Sequence, residues 1–66
     1  MKKPLIKPTV KLIGHNGNAF SIMGHVKQAL RRAGADKEYI DKYLNEAISK
    51  DYDNLLAVSL EYVNVE

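Results

Sequence analysis

The apolar positions from Ala19 to Ala33 recur at the three- and four-residue spacing that places side chains on one face of a helix. They are Ala19, Phe20, Ile22, Met23, Val26, Ala29, Leu30 and Ala33. The spacing predicts a helix over these residues, with Asn18 as its N-cap and Gly34 as the left-handed residue beyond its end. Gly24 lies inside this helix at a cost of roughly 1 kcal/mol relative to alanine, so we expect close backbone packing to explain it.

The second half of the chain carries two more helical patterns, each preceded by an aspartate that can cap it. Asp36 precedes a helix whose expected inward face is Ile40, Tyr43, Leu44, Ala47 and Ile48. Asp51 precedes a third helix that is apolar around much of its axis, at Leu55, Leu56, Val58, Ser59, Leu60, Tyr62 and Val63. We therefore expect the third helix to be the most buried element.

Short strands are predicted near both ends of the chain. Thr9 to Ile13 alternates apolar and polar residues and is rich in β-branched side chains, and Val63 to Val65 alternates again. Two such strands are marginal alone, so we expect them to pair with each other over the helices. The predicted fold class is α+β and mostly helical, with a three-helix bundle; the alternative is an all-helical fold with residues 1–13 as an extended arm.

A chain of 66 residues predicts a single small domain over residues 1–66, of which residues 1–8 could form a flexible arm. The absence of cysteine excludes disulfides, thiolate metal sites and a thiol nucleophile. Lys7 and two prolines interrupt the start before an apolar region develops, so we expect no signal peptide. The longest apolar run, Leu55 to Val58, is too short for a bilayer span of about 20 residues. We expect a soluble, cytoplasmic protein.

Charge divides the chain into two halves. Residues 1–32 hold seven lysines and arginines and no acidic residue, a charge of +7. Residues 33–66 hold three lysines against eight acidic residues, which gives −5 and returns the net charge of +2. This division predicts an anionic partner for the first half, or attraction between the two halves.

The segment from Gly14 to Phe20 joins the first strand to the first helix. Asn16-Gly17 is a strong hairpin signal, but the alternation of a second strand does not follow it, so the segment is expected to begin a helix. Free N–H groups at a helix start attract anions, which makes Asn16, Gly17 and Asn18 candidate anion-binding residues. The P-loop and dinucleotide-binding patterns are both missing, so a simple capped loop is the favoured interpretation.

The basic residues Lys27, Arg31 and Arg32 are partly explained by the helix dipole, because cations are favourable in the last turn of a helix. The dipole does not explain Lys2, Lys3, Lys7 and Lys11. These four lysines could form an electrostatic patch for nucleic acid together with Lys27, and the candidate contacts for nucleic acid or nucleotides are Lys11, Lys27 and Arg31. We find no aromatic or base-reading residue interleaved with these cations, which weakens this hypothesis.

Other candidate chemistry is sparse. His15 and His25 have no acid at ligand spacing, so no metal site or cofactor is expected. No serine, histidine and acid are spaced for catalysis, and the chain offers little volume for a closed pocket, so we expect no enzyme. Tyr39 and Tyr43 share a helical face, where they could border the core or, if exposed together, anchor a protein partner.

Two motifs resemble a known family. Gly17-Asn18-Ala19-Phe20 before a basic helix, and Asp51-Tyr52-Asp53-Asn54-Leu55-Leu56 before a valine-rich end, resemble a family of short uncharacterised reading frames of bacterial and phage genomes. The resemblance covers Val10 to Glu66 and implies a small free-standing protein without assigned catalytic residues. A phage or mobile-element setting implies a protein that binds and inhibits or recruits a host component.

Two hypotheses follow for function. The leading one is a small non-enzymatic protein-interaction module that contacts a protein partner or a second copy of itself through the tyrosines or the arm. The alternative is a binder of nucleotides or nucleic acid that uses the basic first half and the segment from Gly14 to Phe20.

Overall fold

The computed structural model describes residues 1–11 and 18–66 of the chain. Its elements in chain order are β1 (Thr9–Val10), α1 (Ala19–Arg32), α2 (Lys37–Ala47), α3 (Tyr52–Tyr62) and β2 (Asn64–Val65). The predicted α+β fold, mostly helical with a short strand at each end, is confirmed. The first strand was expected to reach Ile13, whereas β1 ends at Val10, and residues 12–17 lie outside the described part.

The two strands pair in parallel, with Thr9 opposite Asn64 and Val10 opposite Val65. The N–H of Asn64 donates to the carbonyl of Pro8 at 2.8 Å, and the N–H of Glu66 donates to that of Val10 at 2.9 Å. Parallel strands require a long crossover connection, which here contains all three described helices. The predicted pairing of the chain ends is therefore confirmed, and its direction is parallel.

Each described helix begins directly after the residue that the sequence predicts as its N-cap. The side chains of Asn18, Asp36 and Asp51 accept hydrogen bonds from backbone N–H groups in the first turn of α1, α2 and α3. The shortest of these bonds come from Phe20 at 2.8 Å, Tyr39 at 2.9 Å and Asn54 at 2.9 Å. These bonds satisfy donors that a helix start otherwise leaves without partners.

The end of α1 also forms as predicted. Ala33 is its C-cap, and Gly34 follows with a φ of 100°, a value that glycine adopts without the steric cost of a side chain. The Gly34 N–H donates to the carbonyl of Arg31 at 3.1 Å, and the Ala35 N–H donates to the carbonyl of Leu30 at 3.0 Å. This is the Schellman arrangement, and it turns the chain towards α2.

The core lies between the three helices and beneath the strand pair. Its buried apolar residues are Val10, Ile22, Met23, Val26, Leu30, Ala35, Ile40, Tyr43, Ala47, Leu55, Tyr62 and Val63. α1 buries four of its 14 residues, and α3 buries three of its 11, Leu55, Ser59 and Tyr62, so α3 is no more buried than α1. The expectation that the third helix is the most buried element is wrong, because one of its faces remains in solvent and leaves Leu60 55% exposed.

The end of α2 differs from the sequence prediction. Ile48 was assigned to the inward face of the second helix, but it is the C-cap residue and is 62% exposed. The Ile48 N–H still donates to the carbonyl of Leu44 at 3.1 Å, so Ile48 is exposed because no neighbouring element covers its side chain.

The N-terminal segment contacts the start of α2. The Lys2 N–H donates to Oδ2 of Asp36 at 2.7 Å, and the Asp36 N–H donates to the Lys2 carbonyl at 3.1 Å. Leu5 and Ile6, farther along the segment, are exposed. Asp36 therefore both caps α2 and binds the backbone of this segment.

Candidate nucleic-acid interface

The outward surface of α1 carries three of the seven basic residues of the first half, Lys27, Arg31 and Arg32. Gly24, Lys27, Gln28, Arg31 and Arg32 line an open depression of about 490 Å³. They share this side because their spacings of three and four residues repeat the helical turn. We call this surface, together with the neighbouring Lys11, the basic face.

Lys11 joins the basic face from the strand side. A second depression, of about 230 Å³, is lined by Thr9, Val10, Lys11, His25, Gln28, Ala29 and Arg32. Gln28 and Arg32 line both depressions, so the surface is continuous from Lys11 to Lys27. The structure thus brings together the three basic residues that the sequence nominated, Lys11, Lys27 and Arg31, and adds Arg32.

The cations of the basic face form no ion pair in the described part of the chain, although the backbone of Glu66 pairs with Val10, next to Lys11. α1 contains no acidic residue, and within residues 1–11 and 18–66 none of Lys11, Lys27, Arg31 and Arg32 forms an ion pair. Arg31 and Arg32 lie in the last turn, where they also offset the helix dipole. Lys27 and Lys11 have no such role, and the summed positive field favours an anionic partner.

Gly24 lies in the middle of the basic face, and its expected explanation is wrong. Beyond the neighbouring backbone of α1 itself, a Cβ built on Gly24 would meet no atom within 4 Å, so packing among the described residues does not require glycine. The residue is exposed and still costs the helix roughly 1 kcal/mol relative to alanine. What glycine does provide is a low point on the helix, where another molecule can approach the backbone closely.

Phe20 lies in solvent, contrary to the sequence prediction. It was assigned to the buried face, yet it is 81% exposed. Its spacing of four, seven and eleven residues before Gly24, Lys27 and Arg31 places it on the outward side. Val26 is fully buried and marks the side of α1 that faces the core. At about 100° per residue, Phe20 is rotated about 120° from Val26 around the helix axis, which places it at the edge of the buried side. An aromatic ring does therefore accompany the cations.

The tyrosines are placed differently from the hypothesis of a joint contact surface. Tyr43 has no exposed area, and its hydroxyl is hydrogen-bonded to that of Ser59 at 2.7 Å. Tyr39 is half-buried, and the Tyr62 ring packs edge-on against both, at centroid distances of 5.4 and 5.2 Å. Tyr43 is a core residue because α3 covers it, which corrects its assignment to an interaction surface.

The pKa values of two phenol groups in this cluster, those of Tyr43 and Tyr62, are raised. Burial raises the pKa of Tyr43, although the hydrogen bond with Ser59 opposes the shift. Burial also raises the pKa of Tyr62, and the Glu46 carboxylate, which accepts the hydrogen bond of the Tyr62 hydroxyl, adds to the effect. The cluster has the properties of a structural core.

The candidate anion site at the start of α1 falls largely outside the described residues. Asn16, Gly17 and His15 belong to the segment that is not described. Asn18 is described, and its side-chain oxygen accepts hydrogen bonds from Phe20 and Ser21. Its role as a cap is confirmed, and the anion site remains a prediction.

In the described part of the chain, no group of three or more histidine, cysteine or acidic side chains could hold a metal ion. No helix there is long and apolar enough to span a membrane.

Comparison of the chain with protein-family models, with curated proteins and with solved structures gives no match.

Proposed function

We propose that this protein binds nucleic acid through the basic face of α1. The observation that carries the proposal is the continuity of the face: Lys11, Lys27, Arg31 and Arg32 share one surface without an ion-paired acid in the described chain. A phosphate backbone releases condensed counterions when such cations replace them, and this release supplies most of the sequence-independent affinity.

Gly24 and Phe20 support the same choice of partner. The open position at Gly24 lets a bulky phosphodiester chain reach the helix surface between the cations. Phe20, exposed at one end of the face, offers an aromatic surface of the kind that single-strand binding proteins combine with cations. The protein-interaction module predicted from the tyrosines ranks second, because Tyr43 is buried.

The test is fluorescence anisotropy of labelled DNA and RNA oligonucleotides across a range of salt. Affinity should fall between about 50 and 200 mM salt, with a slope of log K against log salt near −0.7 for each phosphate that the protein neutralises on a single strand. The double variant Lys27→Gln/Arg31→Gln should weaken binding and make the slope shallower by about 0.7 for each phosphate that is no longer neutralised.

The matched control is Lys37→Gln/Lys42→Gln, which removes the same number of charges from exposed positions of α2. It should leave binding close to that of the unaltered protein. Equal weakening by the two double variants would show that net charge, and not the basic face, determines affinity. Failure of every oligonucleotide to bind at low salt would overturn the proposed function.

A further inference from the structure

A second surface feature lies at the start of α1, about one helical turn before Gly24 of the basic face. It is a cleft of about 260 Å³ between the start of α1, the end of α2 and the start of α3. Its lining residues are Ala19, Phe20, Met23, Ala47, Ile48, Lys50, Asp51, Tyr52 and Leu55. We call it the aromatic cleft, because the phenyl ring of Phe20 and the phenol ring of Tyr52 both line it.

Three large apolar side chains at this cleft remain in solvent. Phe20, Ile48 and Tyr52 are 81%, 62% and 41% exposed. They come from three different elements and converge on one concave surface, whereas single exposed apolar residues scattered over a surface are ordinary. The cleft therefore offers apolar and aromatic area to a ligand that can enter it.

Hydrogen bonds fix the walls of the cleft. Asn18 holds the first turn of α1 through the Phe20 N–H at 2.8 Å. The side chain of Asn54 donates to the carbonyl of Glu46 at 3.0 Å and so ties the start of α3 to the end of α2. These bonds hold the backbone from which Phe20 and Tyr52 project, and an ordered backbone lowers the entropic cost of binding a ligand.

We propose that the aromatic cleft binds an unpaired nucleobase of the strand whose phosphates lie on the basic face, so this inference rests on the proposed function. Phe20 lines the aromatic cleft and lies on the same side of α1 as Lys27 and Arg31 of the basic face. Along the axis of α1, Lys27 lies about 10 Å and Arg31 about 16 Å beyond Phe20. A stacked strand advances roughly 3.4 Å per nucleotide, so a few nucleotides cover that length.

The two charged residues that line the cleft, Lys50 and Asp51, are compatible with a neutral base inside the cleft and phosphates outside it. Lys50 at the lining supplies a cation for a neighbouring phosphate. The Asp51 carboxylate is engaged as the cap of α3 through the Asn54 N–H at 2.9 Å. The apolar remainder of the lining provides no partner for a buried phosphate, so the part of a nucleotide that fits there is the base.

The aromatic cleft favours single-stranded nucleic acid over a duplex. In a duplex the faces of the bases are covered by their neighbours, and only an unpaired base can lie flat against a protein ring. Phosphate contacts alone do not distinguish single strands from duplexes in this way. The inferred ligand is therefore single-stranded nucleic acid, and the aromatic cleft is the source of the preference.

The experiment compares a single strand with a duplex of the same sequence and with a strand of abasic residues, each labelled for anisotropy. The single strand should bind most tightly, because it alone offers free bases. Phe20→Leu keeps an apolar side chain and removes the ring, so it should weaken single-strand binding about fivefold or more. It should leave duplex and abasic-strand binding unchanged, and Phe20→Tyr should retain the affinity.

Leu60→Ala is the matched control, because Leu60 is an exposed apolar residue of α3 that does not line the cleft. It should bind all three oligonucleotides as the unaltered protein does. Circular dichroism of Phe20→Leu should show an intact fold, since the side chain is outside the core.

Two results would overturn the inference while the proposed function stands. One is equal affinity for the single strand, the duplex and the abasic strand, with no effect of Phe20→Leu. The other is a dimer of the free protein in sedimentation that Phe20→Leu dissociates, because a second copy would then occupy the cleft. If no oligonucleotide binds, the proposed function fails as well, and this outcome is distinct from both.

Discussion

The phenolic oxygen of Tyr43 lies 2.7 Å from the hydroxyl oxygen of Ser59, and both residues are almost completely buried where α2 packs against α3. Each hydroxyl is the polar partner that the other needs in the core. Among the described residues, no buried side-chain nitrogen or oxygen is left without a hydrogen bond. The pair therefore helps to fix how α3 packs on α2.

Removal of one hydroxyl should destabilise the protein. Tyr43→Phe leaves the Ser59 hydroxyl buried without this partner, which costs about 1–3 kcal/mol in the free energy of unfolding. The double variant Tyr43→Phe/Ser59→Ala should lose less than the sum of the two single variants, because the orphaned group is then absent as well. Urea denaturation of the four proteins measures this coupling, and strictly additive losses would contradict it.

High pH should destabilise the fold through the tyrosine cluster. Burial and the Glu46 carboxylate raise the pKa of Tyr62, and burial raises that of Tyr43. Above a pH of about 10, tyrosines of the unfolded chain lose protons that the folded protein retains, so the free energy of unfolding falls as pH rises. Urea denaturation at increasing pH tests this expectation.

Two variants identify the groups responsible for that decline. Tyr62→Phe should flatten it, because one of the retained protons is removed. Glu46→Gln should also flatten it, since a neutral acceptor no longer opposes ionisation of Tyr62. An unchanged decline in both variants would show that other groups cause the loss of stability.

The three helix starts and the end of α1 could be predicted from the sequence because capping is local. Asn18, Asp36 and Asp51 each accept a bond from a residue two or three positions ahead, and Gly34 alone supplies the positive φ after α1. These rules need no knowledge of the rest of the fold.

Local rules of this kind could not predict whether side chains at the border between the buried and the exposed side of a helix are covered. Phe20 and Ile48 lie where neighbouring helices either cover a side chain or leave it in solvent, and the spacing along one helix does not decide between them. The aromatic cleft was missed for this reason. The basic face was only partly predicted, because Lys11 and Arg32 meet through the packing of the strand region beside α1.

Asp36 should be a point of acid sensitivity. Hydrogen bonds from the N–H groups of Tyr39 and Lys2 lower the pKa of its carboxyl group below the ordinary 3.8. The stabilisation is therefore present above pH 3.8 and is lost as pH falls through the lower folded pKa. Asp36→Ala should unfold more readily at neutral pH and lose this part of the acid dependence in denaturation experiments.

The two functions of Asp36 can be separated by Asp36→Ser. Serine can still cap α2 through the Tyr39 N–H, but its single hydroxyl cannot also hold Lys2. Amide hydrogen exchange should then show a protected α2 and an unprotected Lys2. Continued protection of the Lys2 amide would mean that the side chain of Asp36 does not hold the N-terminal segment.

Gly24→Ala should separate stability from binding, because the described structure leaves open space where the new methyl group would lie. Alanine favours the helix by about 0.5–1 kcal/mol, and a domain of this size should gain several degrees in Tm. The same methyl group fills the low point of the basic face, so single-strand affinity in anisotropy should fall while stability rises. Unchanged affinity in the stabilised variant would show that the nucleic acid does not approach the helix at Gly24.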